Sequence, residues 1–154
     1  MIKFSSIQPD SFLNTEGKPF FTLNIDVRES TKDEITLLWE QQPDFATEKQ
    51  VPDWFANDNR FCFREIEIVK ADWTRDGIVN AIIRDKYRID EMEAITNNMA
   101  AINAVFMQTL VTEGIVAATK YLKDSINDAN TARFKEMQEW RAMAKKVASE
   151  IIKD

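Results

Sequence analysis

The sequence predicts an α+β chain: an N-terminal antiparallel β-sheet followed by a C-terminal antiparallel helical hairpin or bundle. Three observations carry that prediction. Residues 1–72 contain runs with period-2 alternation, clearest over 21–28, and residues 73–154 contain apolar stripes at three- and four-residue spacing. The 154 residues include only 3 Gly and 4 Pro, so loops are few and elements long. The predicted lobes are a β lobe over 1–72 and a helical lobe over 73–154, sharing one core.

In the first lobe, Ile2 and Phe4 alternate with polar neighbours as a short strand. Residues 10–19 read as a loop, with Asn14 and Gly17 at its turns. Over 21–28, Phe21, Leu23, Ile25 and Val27 fall on one face and Thr22, Asn24, Asp26 and Arg28 on the other. That is the pattern of a half-buried strand in an antiparallel sheet. Residues 29–33 make a polar connector of hairpin length. Residues 34–40, with Ile35, Leu37 and Trp39 on one face, are predicted as the second strand of that hairpin. Pro43 and Pro52 punctuate residues 41–60, while Phe45, Trp54 and Phe55 make this a loop that packs. Residues 61–69 return to strand character in a mixed phase. Phe61 and Phe63 share a face with Glu65 and Glu67, and Ile66 and Ile68 take the other; a twist, a bulge or two-sided burial explains such a pattern.

In the second lobe, Asp72 or Thr74 N-caps a helix through Lys86 whose buried stripe is Ile78, Val79, Ile82 and Ile83. Asp90 and Glu93 have capping-box spacing, with Asp in place of Ser or Thr. Met92, Ile95, Met99, Ile102 and Phe106 then form one stripe, which loosens through Leu110 to Gly114, where the helix ends or kinks. Residues 116–122 are helical again, and Asn127, Asp128 and Asn130 supply a break and a new cap. The last helix spans 131–152. Its seam is Met137, Trp140, Ala144, Val147 and Ile151, flanked by Phe134. Lys145, Lys146 and Lys153 lie near its C-terminus, where cations suit the helix dipole.

Composition narrows the function. Hydrophobic residues make up 44% and charged residues 30%, the balance of a folded globular chain. The net charge of −6 is uneven: residues 1–72 hold 8 basic and 14 acidic side chains, residues 73–154 hold 12 of each. An acidic first half repels phosphate backbones and anionic lipid, so neither nucleic acid nor membrane is the expected main partner. Met1-Ile2-Lys3-Phe4-Ser5 lacks a basic region before an apolar run, and no run approaches the ~20 residues that span a bilayer. The expectation is a chain made in the cytoplasm without a signal peptide. The absence of histidine removes His-based triads, His-ligated metals and the usual near-neutral general base.

Each candidate site carries a plainer alternative. Cys62, the single cysteine, has no histidine to activate it and reads as a structural thiol. Asp85, Asp90, Glu91 and Glu93 cluster where two helices meet. Glu91 and Glu93, two apart on a helix, point about 200° from each other, so capping and solvation fit them better than catalysis. Residues 124–130 resemble a calcium loop without its sixth-position glycine, and its twelfth position would be Lys135, so a helix–helix turn fits better. Trp54 and Phe55, among Asp53, Asn57, Asp58 and Asn59, are either a recognition loop or core cover. The final seam can pack on the 92–106 stripe or on another chain. No catalytic residue, metal site or cofactor is expected.

Two segments carry a resemblance. Residues 134–148, Phe134-Lys135-Glu136-Met137-Gln138-Glu139-Trp140-Arg141-Ala142-Met143-Ala144-Lys145-Lys146-Val147-Ala148, and the upstream Ile83-Arg84-Asp85-Lys86-Tyr87 with residues 90–95 resemble the C-terminal helical part of small structural and accessory proteins of tailed bacteriophages. The resemblance covers residues 77–152 and is compositional. It implies a virion component of the head-tail or tail region, or a tail or fibre assembly factor, with no catalysis. The expected function is therefore a non-catalytic structural or interaction protein. Its partners would be itself or other subunits, with Met137, Trp140, Ala144, Val147, Ile151, Trp54 and Phe55 as interface candidates. The alternatives are a transient binding module using the 51–60 loop, or an enzyme working with carboxylates alone.

Overall fold

A computed structural model describes residues 1–42, 50–126 and 128–152. The expectations placed on Pro43, Phe45, Asn127 and Lys153 lie outside the described residues. The chain divides into two compact units, Met1–Trp73 and Thr74–Asp154.

The first unit holds strands β1 (Ile2–Ser5), β2 (Phe12–Leu13), β3 (Phe20–Glu29) and β4 (Phe61–Val69), and helices α1 (Lys32–Glu40) and α2 (Asp53–Asp58). The strands form one antiparallel sheet in the order β1-β4-β3-β2. The loop predicted over 10–19 contains β2, with Phe12 opposite Leu23 and Leu13 opposite Thr22. Strand β3 is buried on both faces at its centre: Thr22 and Asn24 are covered as well as Leu23 and Ile25. Asn24 tolerates burial because its Nδ2 donates to the Asp10 carbonyl at 2.7 Å and its backbone N–H to the Ser11 carbonyl at 2.9 Å.

The mixed phase of β4 is two-sided burial at its start: the adjacent Cys62 and Phe63, on opposite faces, are both buried, and beyond them Ile66 and Ile68 are buried on one face. Ile25 faces Arg64, but Arg28 faces Cys62, so β3 carries one extra residue. Asp26 sits there at φ +54°, in the left-handed region. The bulge reverses the alternation: Val27 leaves the face of Phe21, Leu23 and Ile25, and Arg28 takes that place beside Cys62.

The hairpin predicted for 21–28 with 34–40 is not formed. Residues 34–40 belong to helix α1, and the partner of β3 is β4. Thr31 accepts from the Glu34 backbone N–H at 3.3 Å while Glu34 Oε2 accepts from the Thr31 N–H at 2.9 Å, a complete capping box. Ile35 and Leu38 are half-buried and Trp39 is buried, whereas Leu37 is exposed. The contacting residues follow helical spacing, not alternation.

The second unit is helical: α3 (Arg75–Lys86), α4 (Ile89–Glu113), α5 (Ile115–Ile126) and α6 (Ala129–Ile151). Thr74 caps α3 by accepting from the Gly77 N–H at 3.1 Å. Asp90 does not cap α4. The N-cap is Arg88, without a side-chain bond, and Asp90 stands in the first turn, where its charge suits the helix dipole. Gly114 ends α4 at φ +86°. Asp128 caps α6 by accepting from the Asn130 N–H at 2.6 Å. Helix α6 packs along α3 and the first part of α4, and α5 packs along the rest of α4. The unit is a long antiparallel hairpin whose base has three helices and whose tip has two.

Candidate interaction surfaces

The final seam faces inward. Met137, Ala144 and Ala148 are buried, and Trp140, Val147 and Ile151 are half-buried. Tyr87, Ile95 and Met137 form a core cluster with Met92, Phe134 and Trp140 packed on it. Trp140 Nε1 donates to the Ile82 carbonyl at 3.0 Å, and the Lys86 ammonium lies 4.5 Å from its ring centroid. Lys86 also donates to Glu136 at 2.7 Å and holds that carboxyl below its usual range. The seam of Met137, Trp140, Ala144, Val147 and Ile151 is therefore occupied by this chain's own α3 and α4. Met137 and Ala144 are thereby taken up inside the chain and are not available to an external partner, while Trp140, Val147 and Ile151 stay half-buried.

Trp54 and Phe55 lie on the short helix α2, not on a loop. Trp54 is 54% exposed and Phe55 half-buried. Both meet the buried Trp39 ring, at 6.0 and 4.9 Å between centroids, in edge-on geometry. Phe55 holds α2 to α1, and Trp54 presents part of its indole to water.

The chemical candidates resolve toward structure. Burial pushes the Cys62 thiol up, which keeps it protonated. Glu91 accepts from Arg133 at 2.8 Å and Asp90 from Arg88 at 3.2 Å, each carboxylate turned to its own guanidinium. Among the described residues no three Cys, Asp or Glu side chains come close enough to hold a metal ion. In the 124–130 segment, the Ser125 carbonyl accepts from Thr131 Oγ1 at 2.8 Å beside the Asp128 cap, the bonding of a helix–helix turn. A cleft of about 380 Å³ opens between α3, α4 and α6, with Arg84, Arg141 and Glu93 at its edges.

The surface that sequence reasoning missed is the tip of the α4–α5 hairpin. Val111, Ile115 and Val116 are 82%, 71% and 82% exposed, and Met107, Leu122 and Ile126 are also exposed. Residues 94–112 contain no charged side chain on any face of α4. The outer face of a helix in water is ordinarily charged, and its absence over five turns was legible in the sequence. No described helix is long and apolar enough to cross a membrane.

This is an α+β protein whose four-stranded antiparallel sheet precedes a helical hairpin and whose most unusual surface is a helical tip studded with exposed apolar side chains. Comparison with models of protein families, with curated proteins and with solved structures gives no match.

Proposed function

We propose that this chain is a non-catalytic structural or interaction subunit and, on the resemblance over residues 77–152, a component of a tailed-phage particle in its head-tail or tail region. The observation that carries the reading is the hairpin tip, where an apolar-studded surface stands in water. Contiguous exposed apolar area of that kind marks sites where protein meets protein. The test is lysine-reactive crosslinking of the native material, followed by sedimentation and mass spectrometry. Lys120 and Lys123 on α5 are the reporters. A particle subunit sediments with particle proteins and carries intermolecular crosslinks at these lysines. Recovery only in the slow fraction, with crosslinks confined to one chain, overturns the reading.

A second reading is an assembly factor that binds transiently through residues 51–60, and the exposure of Trp54 favours it. The chain also contains Trp39, Trp73 and Trp140, so Trp54→Phe isolates the signal. The emission lost in that variant should be open to acrylamide in the free chain and shielded in particle fractions. Equal quenching in both fractions removes this reading.

A further inference from the structure

We infer that the hairpin tip is the half-core of a four-helix bundle completed by a second copy of this chain. The inference rests on the interaction-subunit reading and names its partner.

Both helices of the tip carry a second seam. On α4 the internal seam is Ile95, which is buried, with Met99, Ile102 and Phe106, which are half-buried. About 140° around the same helix, Ala100, Ala104, Met107 and Val111 repeat its spacing, and all four are exposed. On α5 the covered face is Ala117, Ala118, Tyr121 and Ser125. About 115° away, Ile115, Thr119, Leu122 and Ile126 form the exposed counterpart. Because α5 runs antiparallel to α4, the two second seams emerge on the same side of the hairpin. Lys120 and Lys123 border the α5 seam, sharing a surface concavity with Ile115, Val116 and Thr119, and Asp124 lies further round α5. A helix with two apolar seams is the unit of a bundle, whereas a two-helix hairpin needs only one.

The occupant follows from the fit of the seams to each other. Asn98 Nδ2 meets Asn130 Oδ1 at 3.2 Å, and Gly114 is the corner, which together fix the heights. Ile126 stands level with the gap between Ala100 and Ala104. Leu122 stands level with the gap between Ala104 and Met107. A two-fold axis along the hairpin sets α5 of one copy against α4 of the other. It drops Ile126 and Leu122 of each copy into the alanine-floored holes of its partner, knobs into holes. Large residues on one helix thus oppose small ones on the other. Met107, Val111, Ile115, Leu122 and Ile126 of these seams are 39–82% exposed, so each chain offers on the order of several hundred Å² of apolar surface to its partner. The seam itself holds no charge for a charged partner to pair with, and the charges that border it on α5 are Lys120 and Lys123. A lipid core would have to desolvate Asn97, Asn103 and Gln108 beside the seam.

The experiment is light scattering on the purified full-length chain. The wild type should show twice the chain mass at about 10 μM, a concentration at which a micromolar Kd leaves most chains paired. Ala104→Glu and Leu122→Lys, both at exposed positions, should each have unchanged far-UV circular dichroism and half the wild-type mass. Mixing these two variants should restore the doubled mass. In the mixed pair the introduced carboxylate meets the introduced ammonium at one of the two symmetry-related contacts, and the native Ala104 and Leu122 meet at the other. Wild type that stays single up to about 100 μM overturns the two-copy bundle. So does a mass above two chains, or dimerisation that survives both substitutions. A single chain that floats with phosphatidylglycerol vesicles assigns the face to lipid instead. In the first of these outcomes the interaction-subunit reading stands or falls on its own crosslinking test.

Discussion

At the scale of single residues, Glu34 does the most for its neighbourhood. Its carboxylate accepts from Arg28 Nη1 at 2.9 Å and from the Thr31 N–H, and these contacts, Arg28 first, hold its pKa at about 2. A carboxyl whose folded pKa lies below its unfolded value of about 4.5 adds stability that is complete above 4.5. That stability is lost as pH falls toward 2. Both partners are partly exposed, so water screening limits the effect to about 1 kcal/mol. Acid titration of thermal stability should therefore be steeper between these pH values in wild type than in Glu34→Gln. Thr31→Ala should cost about 1 kcal/mol at neutral pH by removing the cap, read from urea midpoints. Asp26 makes a separate prediction. Its φ of +54° suits Asp, Asn or Gly, so Asp26→Gly should be near neutral and Asp26→Val should lose about 1–2 kcal/mol.

At the scale of elements, legibility depended on how many periods a segment satisfied. The 92–106 stripe fits one period only, and the structure covers those residues in that order. Residues 34–40 fit two: Ile35, Leu37 and Trp39 alternate, while Ile35, Leu38 and Trp39 keep helical spacing. The deciding signal was Thr31 and Glu34 at capping-box spacing, a local feature that alternation obscures. In β3, Thr22 and Asn24 read as solvent-facing because a sequence does not show that residues 10–13 return to cover them. The exposed seam on α4 escaped notice because alanine counts weakly as apolar; the missing charges marked it better. For α6 the ambiguity was real, since a 3,4 seam fits an internal or an external helix equally. The indole bond from Trp140 to Ile82 places the partner inside. Trp140→Phe, which keeps an aromatic ring and drops that bond, should cost about 1 kcal/mol, and Met137→Ala about 2–5 kcal/mol through the cavity it leaves. At Gly114 an added Cβ would meet nothing within 4 Å. With ψ at 177° the residue sits in extended positive-φ space that only glycine adopts readily, so Gly114→Ala and Gly114→Asn should each lose about 1–3 kcal/mol through backbone strain alone.

At the scale of the whole molecule, charge and apolar surface are divided between the two parts of the chain. Residues 1–72 carry the full excess of six negative charges, while residues 73–154 balance to zero and hold the apolar-studded tip, where Glu113, Lys120, Lys123 and Asp124 also balance. Like charge on the first part opposes indiscriminate clustering, and the neutral tip is where approach costs no electrostatic work. A bundle formed there would couple folding to chain concentration. For a chain of this length, a tenfold increase should raise Tm by about 2 °C, since two chains unfold per dimer lost. Because the buried seams contain no ion pairs, moving from about 0.05 to 0.5 M sodium chloride should leave the dimer Kd within about twofold. A charge-zipped interface would weaken many-fold over the same range. Calorimetric scans at two concentrations, each at both salt levels, separate these cases. A Tm that ignores concentration rejects the coupled bundle, and a Kd that climbs with salt places the contact on charged surface outside the α4–α5 tip.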